Sequence, residues 1–572
     1  MGANYIMKPG AWPMRKQSLV VLIIVLITAA VMWYVYYSST FTFLALNDAM
    51  DYASIGRNVA RGDGFVSSYI TPLGLANKEG LPHPDLWRAP LWPAALGLFI
   101  RVLGATDQAV AVATGSFFIA GAVIVCLLGT EMFGRLVGFV SALVYIFSAQ
   151  NLVYSTSGMT ETMALFVFLL AVYLAVARWA RNPLGDILAG AAMGLFYLTR
   201  YNALLFVPLF GLFLWYRRRT EESGEWFGSW QFKFKRSRGL WTVVRFLAAF
   251  LIIISPWLVR NYLLMGSPLF SLQKFEPAMF TAAYPGYSMY MMLEKINIID
   301  FVKNHPQEVW AKVLAGWNEF REGFFRPEMS GISPYLLGFF LISLVIPFKY
   351  GPAFGSAQSS AFGTAYGPAN GAVNTHRGVR VLLAACFIIQ LAALLVIHFI
   401  SRLFFMFMPF YIIFATAAVV WALSFIAARL PVKKNGFIAV FTILIMGFFA
   451  VTNLPLWSPI KTADTPITGL RDSVKAITDM SSREQLIISN DGHLLAWYGD
   501  RYAAKLPYRV DMIPEMEELA PLKLIYLSSR VSWNIPEADD SWRELFWSKP
   551  REIYGFKQAR VFPDGSVIYR KD

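Results

Sequence analysis

Two carboxylates three residues apart, Asp48 and Asp51, follow the first hydrophobic run of a chain that is 56% hydrophobic and 16% aromatic, and a third, Glu161, sits in a polar turn between later apolar runs. Acidic side chains at the edge of so apolar a chain are costly, which makes each a candidate for chemistry. Opposite charge comes from Arg200, Arg260 and Arg402 at the ends of apolar runs, and from Arg88 in the loop that also holds Asp48. The set suits displacement of a leaving group that is already a stable anion. If the donor is a sugar on a lipid phosphate, the phosphate needs no general acid, only cations, and arginine supplies forked hydrogen bonds to it. An acceptor hydroxyl, with its high pKa, does need a base, for which a carboxylate raised in basicity by its membrane-edge setting is suited.

The stretch that must position the acidic pair is residues 46–65, LNDAMDYASIGRNVARGDGF. Asn47 is a good N-cap, residues 48–60 lack proline, and Gly62 and Gly64 close the run, so a short helix along the membrane surface is expected. Spacing of three puts Asp48 and Asp51 on one helical face, while Tyr52, Ile55 and Val59 follow at a spacing that buries another face in the interface. Position alone leaves a blander reading open: the helix dipole favours Asp48 at a helix start, and Asp51 also reads as a solvated first-turn carboxylate.

Composition makes this a polytopic membrane protein, since mean hydropathy is +0.49 over 572 residues with only 15% charged side chains. The basic residues Lys8, Arg15 and Lys16 precede an apolar run over 19–37 that is too long for a signal-peptide core, so it reads as a retained span. Cys126 and Cys386 both lie in apolar segments and imply neither a disulfide framework nor a thiolate metal site. The net charge of +14 is not a nucleic-acid footprint. From Trp457 onward there are 16 Lys and Arg against 17 Asp and Glu, so the whole excess lies in the apolar part, where it reports topology.

After the first span comes a long polar loop, 38–107. Residues 90–103 are apolar but too short to cross, and read as a juxtamembrane or re-entrant helix. Further spans are expected at about 108–133, 136–154, 160–180, 185–200, 201–216, 243–262, 334–348, 381–400, 403–427 and 436–454, eleven in all. This count puts the loops with Arg135, Arg178 and Arg181, the basic stretch 217–245, the stretch 349–380 and the stretch 429–434 on one side with the basic N-terminus. The positive-inside rule makes that side cytoplasmic. Arg200, Arg260 and Arg402 then fall on the other side as exceptions, suiting a polar cavity or, alternatively, snorkelling to headgroups.

Residues 350–378, rich in Gly, Ala and Ser, read as a flexible linker. From about 455 the composition becomes that of a soluble domain of α/β type, with β-rich runs LIIS, LIYLSS, ARVF and SVIYR, helical stretches near 468–480 and 541–548, and a hairpin signal at Asp564-Gly565. The quartet WYGD, 497–500, reads as core packing. No phosphate-binding glycine loop and no metal-spaced cysteine and histidine cluster is present. Among only five histidines, His83 and His398 read as structural or hydrogen-bonding groups.

Taken in order, NDAMDYASIGRNVARGDGF, WRAPLWPAAL, YSTSGMTET, LTRYNAL, SPWLVRNYLLMGSPL and SRLFFMFMPF resemble the GT-C membrane glycosyltransferases, nearest to family 39 and its relatives, the protein O-mannosyltransferases and lipid A aminoarabinose transferases. The resemblance covers about residues 1–430. It implies a GT-C fold: an all-α polytopic module (1–454) with juxtamembrane helices in the first outer loop (38–107) and a second large outer loop (263–333), followed by a small extracytoplasmic α/β domain (455–572). It further implies that Asp48 activates the acceptor and that Glu161 orients the acceptor or Asp48. Arg88 matches a basic residue before the family's juxtamembrane helix, and Arg260 and Arg402, with Arg200, would contact the lipid phosphate, while His83 and Asp51 would line the site wall. Relatives often carry an acidic pair where this chain has Asn47 before Asp48, a departure that favours a metal-independent mechanism. No cofactor is expected, and a divalent metal is admissible but not favoured.

The expectation is therefore an integral inner-membrane enzyme, N-terminus in the cytoplasm and site outside it. It transfers a monosaccharide with inversion from a polyprenyl-phosphate carrier to a hydroxyl of a protein, lipid or glycan, with membrane lipids but no nucleic acid as partners. The run 274–290 fits either a flap over the cavity or an interfacial loop. Two alternatives stand beside this reading: a transporter or flippase of lipid-linked sugars, for which no inverted-repeat pattern is found, and a metal-dependent oligosaccharide transferase.

Overall fold

The computed structural model describes residues 16–223, 238–346, 371–451, 467–532 and 536–571. The basic residues Lys8 and Arg15, the KFKR cluster, most of the Gly-, Ala- and Ser-rich linker and the junction near 455 lie outside them. The described chain is mostly helical, with one mixed sheet near its C-terminal end.

Most of the eleven expected spans fall on apolar helices, but 201–216 is the 3-10 turn Tyr201–Phe206 followed by Val207–Ser223, a helix whose second half is charged. Five described helices, at 18–40, 107–133, 239–265, 377–397 and 401–427, are long and apolar enough to cross a membrane unaided. The expected span 136–154 is a pair, Arg135–Ile146 and Ala149–Thr156, bent by 60°. At the break Asn151 donates to the Tyr145 carbonyl, meeting backbone freed by the bend, and Ser148 donates to the Gly331 carbonyl, tying the bend to the turn before Pro334. Glu161–Val176, Pro183–Thr199, Pro334–Val345 and Lys434–Ala450 are shorter apolar helices. Two expected spans start as 3-10 turns, Tyr201–Phe206 and Ser401–Phe407, each following directly on an arginine or containing one. Leu91–Leu103 is a separate helix of 13 residues, as the juxtamembrane reading expects.

Aromatic packing fixes the ends that matter. Phe168, fully buried in the helix that begins at Glu161, stacks on Phe196 and meets Phe407 and Phe410 edge-on, tying the turns that carry Glu161, Arg200 and Arg402 to one core.

The sheet runs β1 (Tyr69–Ile70), β3 (Tyr502–Ala504), β2 (Leu486–Ser489), β4 (Leu522–Leu527), β7 (Val567–Arg570), β6 (Phe556–Val561), β5 (Glu552–Ile553). The first four strands are parallel and the last three join antiparallel, with the expected Asp564-Gly565 turn between β6 and β7. Its edge strand comes from the first long loop: Tyr69 pairs with Ala503 and Ile70 with Ala504. A shared apolar core lies behind that pairing, where Val66, Ile70 and Leu75 of the loop and Met291 pack with Leu486, Ile488 and Trp542.

Candidate active site

The acidic helix, Asn47–Arg61, starts after Leu46 rather than at an Asn47 cap, and ends at Gly62, whose φ of +92° lets its N–H reach back to the carbonyls of Asn58 and Val59. It does not lie with one face in an interface. Residues 49–51 and 53–58 are buried, so nearly its whole circumference is covered. On one side it crosses Leu91–Leu103 at glycines: a Cβ on Gly56 would stand 2.8 Å from the Leu96 Cβ, and one on Gly97 3.0 Å from the Gly56 carbonyl oxygen. On another side its C-terminal half meets the last domain, where Arg57 donates to the carbonyls of Ala496 and Trp497, each at 2.5 Å, and pairs with Asp500 at 2.9 Å.

Asp48 and Asp51 face the opposite way, into a chain of alternating charge. Arg88 binds both, through Nε to Asp51 at 2.7 Å and through Nη2 to Asp48 at 2.9 Å. Arg402 binds the other Asp48 oxygen at 2.6 Å and stands 3.8 Å from Glu161. Arg200 closes the chain on Glu161 at 2.9 Å and on the Thr160 hydroxyl at 2.8 Å. Three carboxylates thus alternate with three guanidinium groups. Arg88 is held further: its plane lies over Trp87 and Tyr52, its carbonyl accepts from Tyr201, and the Asp85 carboxylate caps the backbone N–H groups of Trp87 and Arg88. Asp51, Arg88 and Glu161 are buried, whereas the side chains of Asp48 and Arg402 remain 26% and 35% exposed. The chain opens at that pair.

Electrostatics correct one expectation. Burial would raise Asp48, but Arg88 and Arg402 outweigh it and hold the carboxyl well below the usual carboxylate range, so Asp48 is not raised in basicity here. Asp51 moves the other way: burial pushes it up to about 7 against the pull of Arg88, with Asp85 and Asp48 adding to the rise.

Five of the eight expected site residues, Asp51, Arg88, Arg200, Arg402 and Glu161, therefore join Asp48 in one network. Arg260 does not. It lies over Trp257 at 4.3 Å, reaches the Phe65 carbonyl at 3.4 Å, and has no carboxylate within 4 Å among the described residues. Trp257 connects it to the network, since its Nε1 donates to the same Tyr201 hydroxyl that donates to Arg88. His83 also stands apart, buried behind the loop and pushed down to about 4 by burial, hence neutral. The run 274–290 packs across both halves: Phe280 stacks on His398 at 3.9 Å, the Tyr287 hydroxyl lies 3.1 Å from His398 Nε2, and a Cβ on Gly286 would stand 3.2 Å from Glu537. Among the described residues no three His, Cys, Asp or Glu side chains gather as a metal site, and the carboxylates of the network are engaged by arginine. Sequence reasoning missed Tyr201, Trp257, Arg57 and Asp500. Of WYGD, Trp497 does pack in the core as read, whereas Asp500 pairs with Arg57 and Arg61.

A sequence profile of the family described as dolichyl-phosphate-mannose-protein mannosyltransferase matches residues 83–232, which include Arg88, Glu161 and Arg200. No curated protein matches the chain. Among solved structures, the Archaeoglobus fulgidus oligosaccharyltransferase tethered to an acceptor peptide with the NVT sequon is 13% identical, with a TM-score of 0.56 over 98% of this chain and 75% of that one. The archaeal oligosaccharyltransferase AglB from the same organism, in complex with an inhibitory peptide and a dolichol-phosphate, gives 14% identity and 0.51 over the same shares. ArnT from Cupriavidus metallidurans, bound to undecaprenyl phosphate, is 14% identical with a TM-score of 0.47 over 97% of this chain and 98% of that one. The chain has the fold of the GT-C membrane glycosyltransferases, and its sequence resembles the mannosyltransferases of that group.

Proposed function

We propose that this chain is an inverting glycosyltransferase of the inner membrane that moves a monosaccharide from a polyprenyl-phosphate carrier to a hydroxyl acceptor on the extracytoplasmic face. The observation that carries the proposal is the exposed end of the charge network, where Asp48 shares Arg402 with Glu161 and Arg88 with Asp51. Such a pair is a resting state. A donor phosphodiester brings an anion that competes for Arg402, the most exposed guanidinium of the network. Once Arg402 turns to the phosphate, Asp48 keeps only Arg88, and its carboxyl rises toward the ordinary range and becomes a usable base. Asp48 then accepts the proton of the acceptor hydroxyl, the hydroxyl oxygen bonds to the anomeric carbon, and the carbon–oxygen bond to phosphate breaks with its electron pair, releasing polyprenyl phosphate. Arg402, with Arg260 from the adjoining wall, neutralises the departing charge. Glu161 and Arg200 hold Arg402 within reach. The dolichol-phosphate of the archaeal structure and the mannosyltransferase profile support a polyprenyl-phosphate donor, and the basic loops support the orientation.

The test is release of free polyprenyl phosphate from a panel of synthetic lipid-phosphate sugars, with envelope extract as acceptor, by wild type and Asp48→Asn. Release that falls by about 10²–10⁴-fold in the variant, with lipid-phosphate binding retained, is the expected result. Binding by both proteins without release from any donor points to transport instead. The superposition on an oligosaccharyltransferase gives the metal-dependent alternative its own check, since EDTA would then abolish release.

A further inference from the structure

Behind the acidic helix, away from its carboxylates, lies a cavity of about 730 Å³. Arg57 follows Asp48 by nine residues, about two and a half turns, so it emerges on the opposite side of the helix roughly 13 Å further along. Arg57 and Arg61 line the cavity from this helix, and Lys475 lines it from the helix Ile467–Met480 of the last domain. The carboxylates on its wall are already committed. Asp107 accepts from the Trp497 indole at 2.7 Å, the Tyr498 hydroxyl at 2.9 Å and the Leu44 N–H at 3.4 Å. Asp500 is shared among Arg57 at 2.9 Å, Arg61 at 2.8 Å and Arg483 at 3.7 Å. No carboxylate lies within 4 Å of the exposed Lys475 among the described residues. Arg57, 4% exposed, has a buried Nε with no acceptor. Three cations thus line a cavity whose two carboxylates are already engaged, an excess that an anion would balance.

The wall also reports where the cavity sits. Thr42 and Phe43 follow directly on the first span, and Thr106 and Asp107 open the span Asp107–Phe133, so the cavity is level with the point where two apolar helices leave the membrane. Phe43, Trp497 and Tyr498 line it there, the aromatic composition of a membrane–water boundary.

We propose that this cavity is a second binding site, distinct from the reaction site, for a phosphate-bearing headgroup, with Arg61 and Lys475 as its ligands and Arg57 on its wall. The occupant bridges Arg61 and Lys475 and so ties the C-terminal end of the helix that carries Asp48 to the last domain. The inference depends on the membrane setting and not on the donor chemistry.

The full chain is stripped of lipid in neutral detergent, and its thermal transition is followed against phosphatidylglycerol, phosphatidylcholine and inorganic phosphate. Wild type is compared with Arg61→Gln/Lys475→Gln and with Thr478→Phe, which fills the cavity without altering charge. Phosphatidylglycerol is expected to raise the wild-type transition saturably and phosphatidylcholine to do so far less. The double variant should need about 30-fold more phosphatidylglycerol for the same shift, the loss of two basic contacts, and Thr478→Phe should lose the response. A shift produced by inorganic phosphate, and lost in both variants, supports the site and identifies a soluble source. Equal responses in wild type and the double variant, equal responses to the two lipids, or a full response in Thr478→Phe would each overturn the proposal.

Discussion

Asp48 and Asp51 are the same residue type one helical turn apart, and their surroundings drive them in opposite directions. Asp48 is met by two guanidinium groups. Asp51 is 1% exposed, offers one oxygen to Arg88 and has no partner for the other. With its carboxyl up at about 7 in the folded state and near 3.9 in an unfolded chain, the folded protein binds the Asp51 proton more tightly. Its contribution to stability is therefore full below about pH 4 and is lost as pH rises through about 7. Asp51→Asn mimics the protonated form, so the variant should melt above wild type at pH 8 and close to it at pH 5, as read by intrinsic fluorescence in detergent. A variant less stable by the same amount at both pH values would mean that Arg88 needs Asp51 as an anion. Arg402 calls for a different substitution. Its fork reaches Asp48 and Glu161 together, which the single point charge of lysine does not reproduce. Arg402→Lys is expected to lower kcat by about 10²–10³-fold in the donor-release assay, and retention of near wild-type kcat would remove Arg402 from the phosphate-handling role.

The acidic helix is placed by what it crosses more than by its own propensity. At the crossing with Leu91–Leu103, a Cβ on Gly56 would stand 2.8 Å from the Leu96 Cβ and 3.2 Å from both the Pro93 carbonyl oxygen and the Gly97 nitrogen. Backbone and a Cβ cannot swing aside as a side-chain tip can. Alanine would gain about 1 kcal/mol of helix propensity, but overpacking costs about 1–3 kcal/mol, so Gly56→Ala should lower the melting transition and, by pushing the helix off its neighbour, the release rate too. Gly447, in the apolar helix Lys434–Val451, has open space where its Cβ would be, so Gly447→Ala carries the propensity gain without the clash and should leave release unchanged and the melting transition equal or higher. This crossing shows which parts of the site were legible in sequence. The acidic pair, Glu161 and the arginines at span ends were visible because charge against an apolar background is a local signal. Glycine at 56 gives no local sign that a second helix passes over it. Contacts between Arg61 and Asp500 span 439 residues, and β1 is two residues long, too short to carry an alternating pattern. The runs LIIS, LIYLSS, ARVF and SVIYR and the helices near 468–480 and 541–548 were legible because each is a compact apolar or amphipathic run, whereas β3, β5 and the helices Gly492–Trp497 and Ile513–Leu519 gave no such signal, and the pairing of Tyr69 with Ala503 is a property of the fold alone.

At the scale of the whole molecule, the part after 467 is built into the reaction site. It receives β1 from the loop that also carries Arg88, buries Val66, Ile70 and Leu75 of that loop in its own core, and grips the acidic helix through Arg57, Arg61 and Asn58. Trp497 further ties it to Asp107 at the start of a membrane span. A chain ending after residue 451 would uncover those apolar side chains and leave Arg57, buried in the full protein, without the carbonyls and carboxylate that bind it. Breaking a buried charged contact of this kind costs about 3–5 kcal/mol, more than a two-residue strand and a loop can supply alone. The truncated protein should therefore still enter the membrane, because the apolar helices do not depend on the sheet. It should lose donor release, and limited proteolysis should cut it between 66 and 75, a stretch buried in the full chain. A truncated protein that resisted cleavage there and released polyprenyl phosphate at the full-length rate would mean that Arg88 and Asp48 are positioned by the juxtamembrane crossing alone, and that the last domain serves only to receive the acceptor.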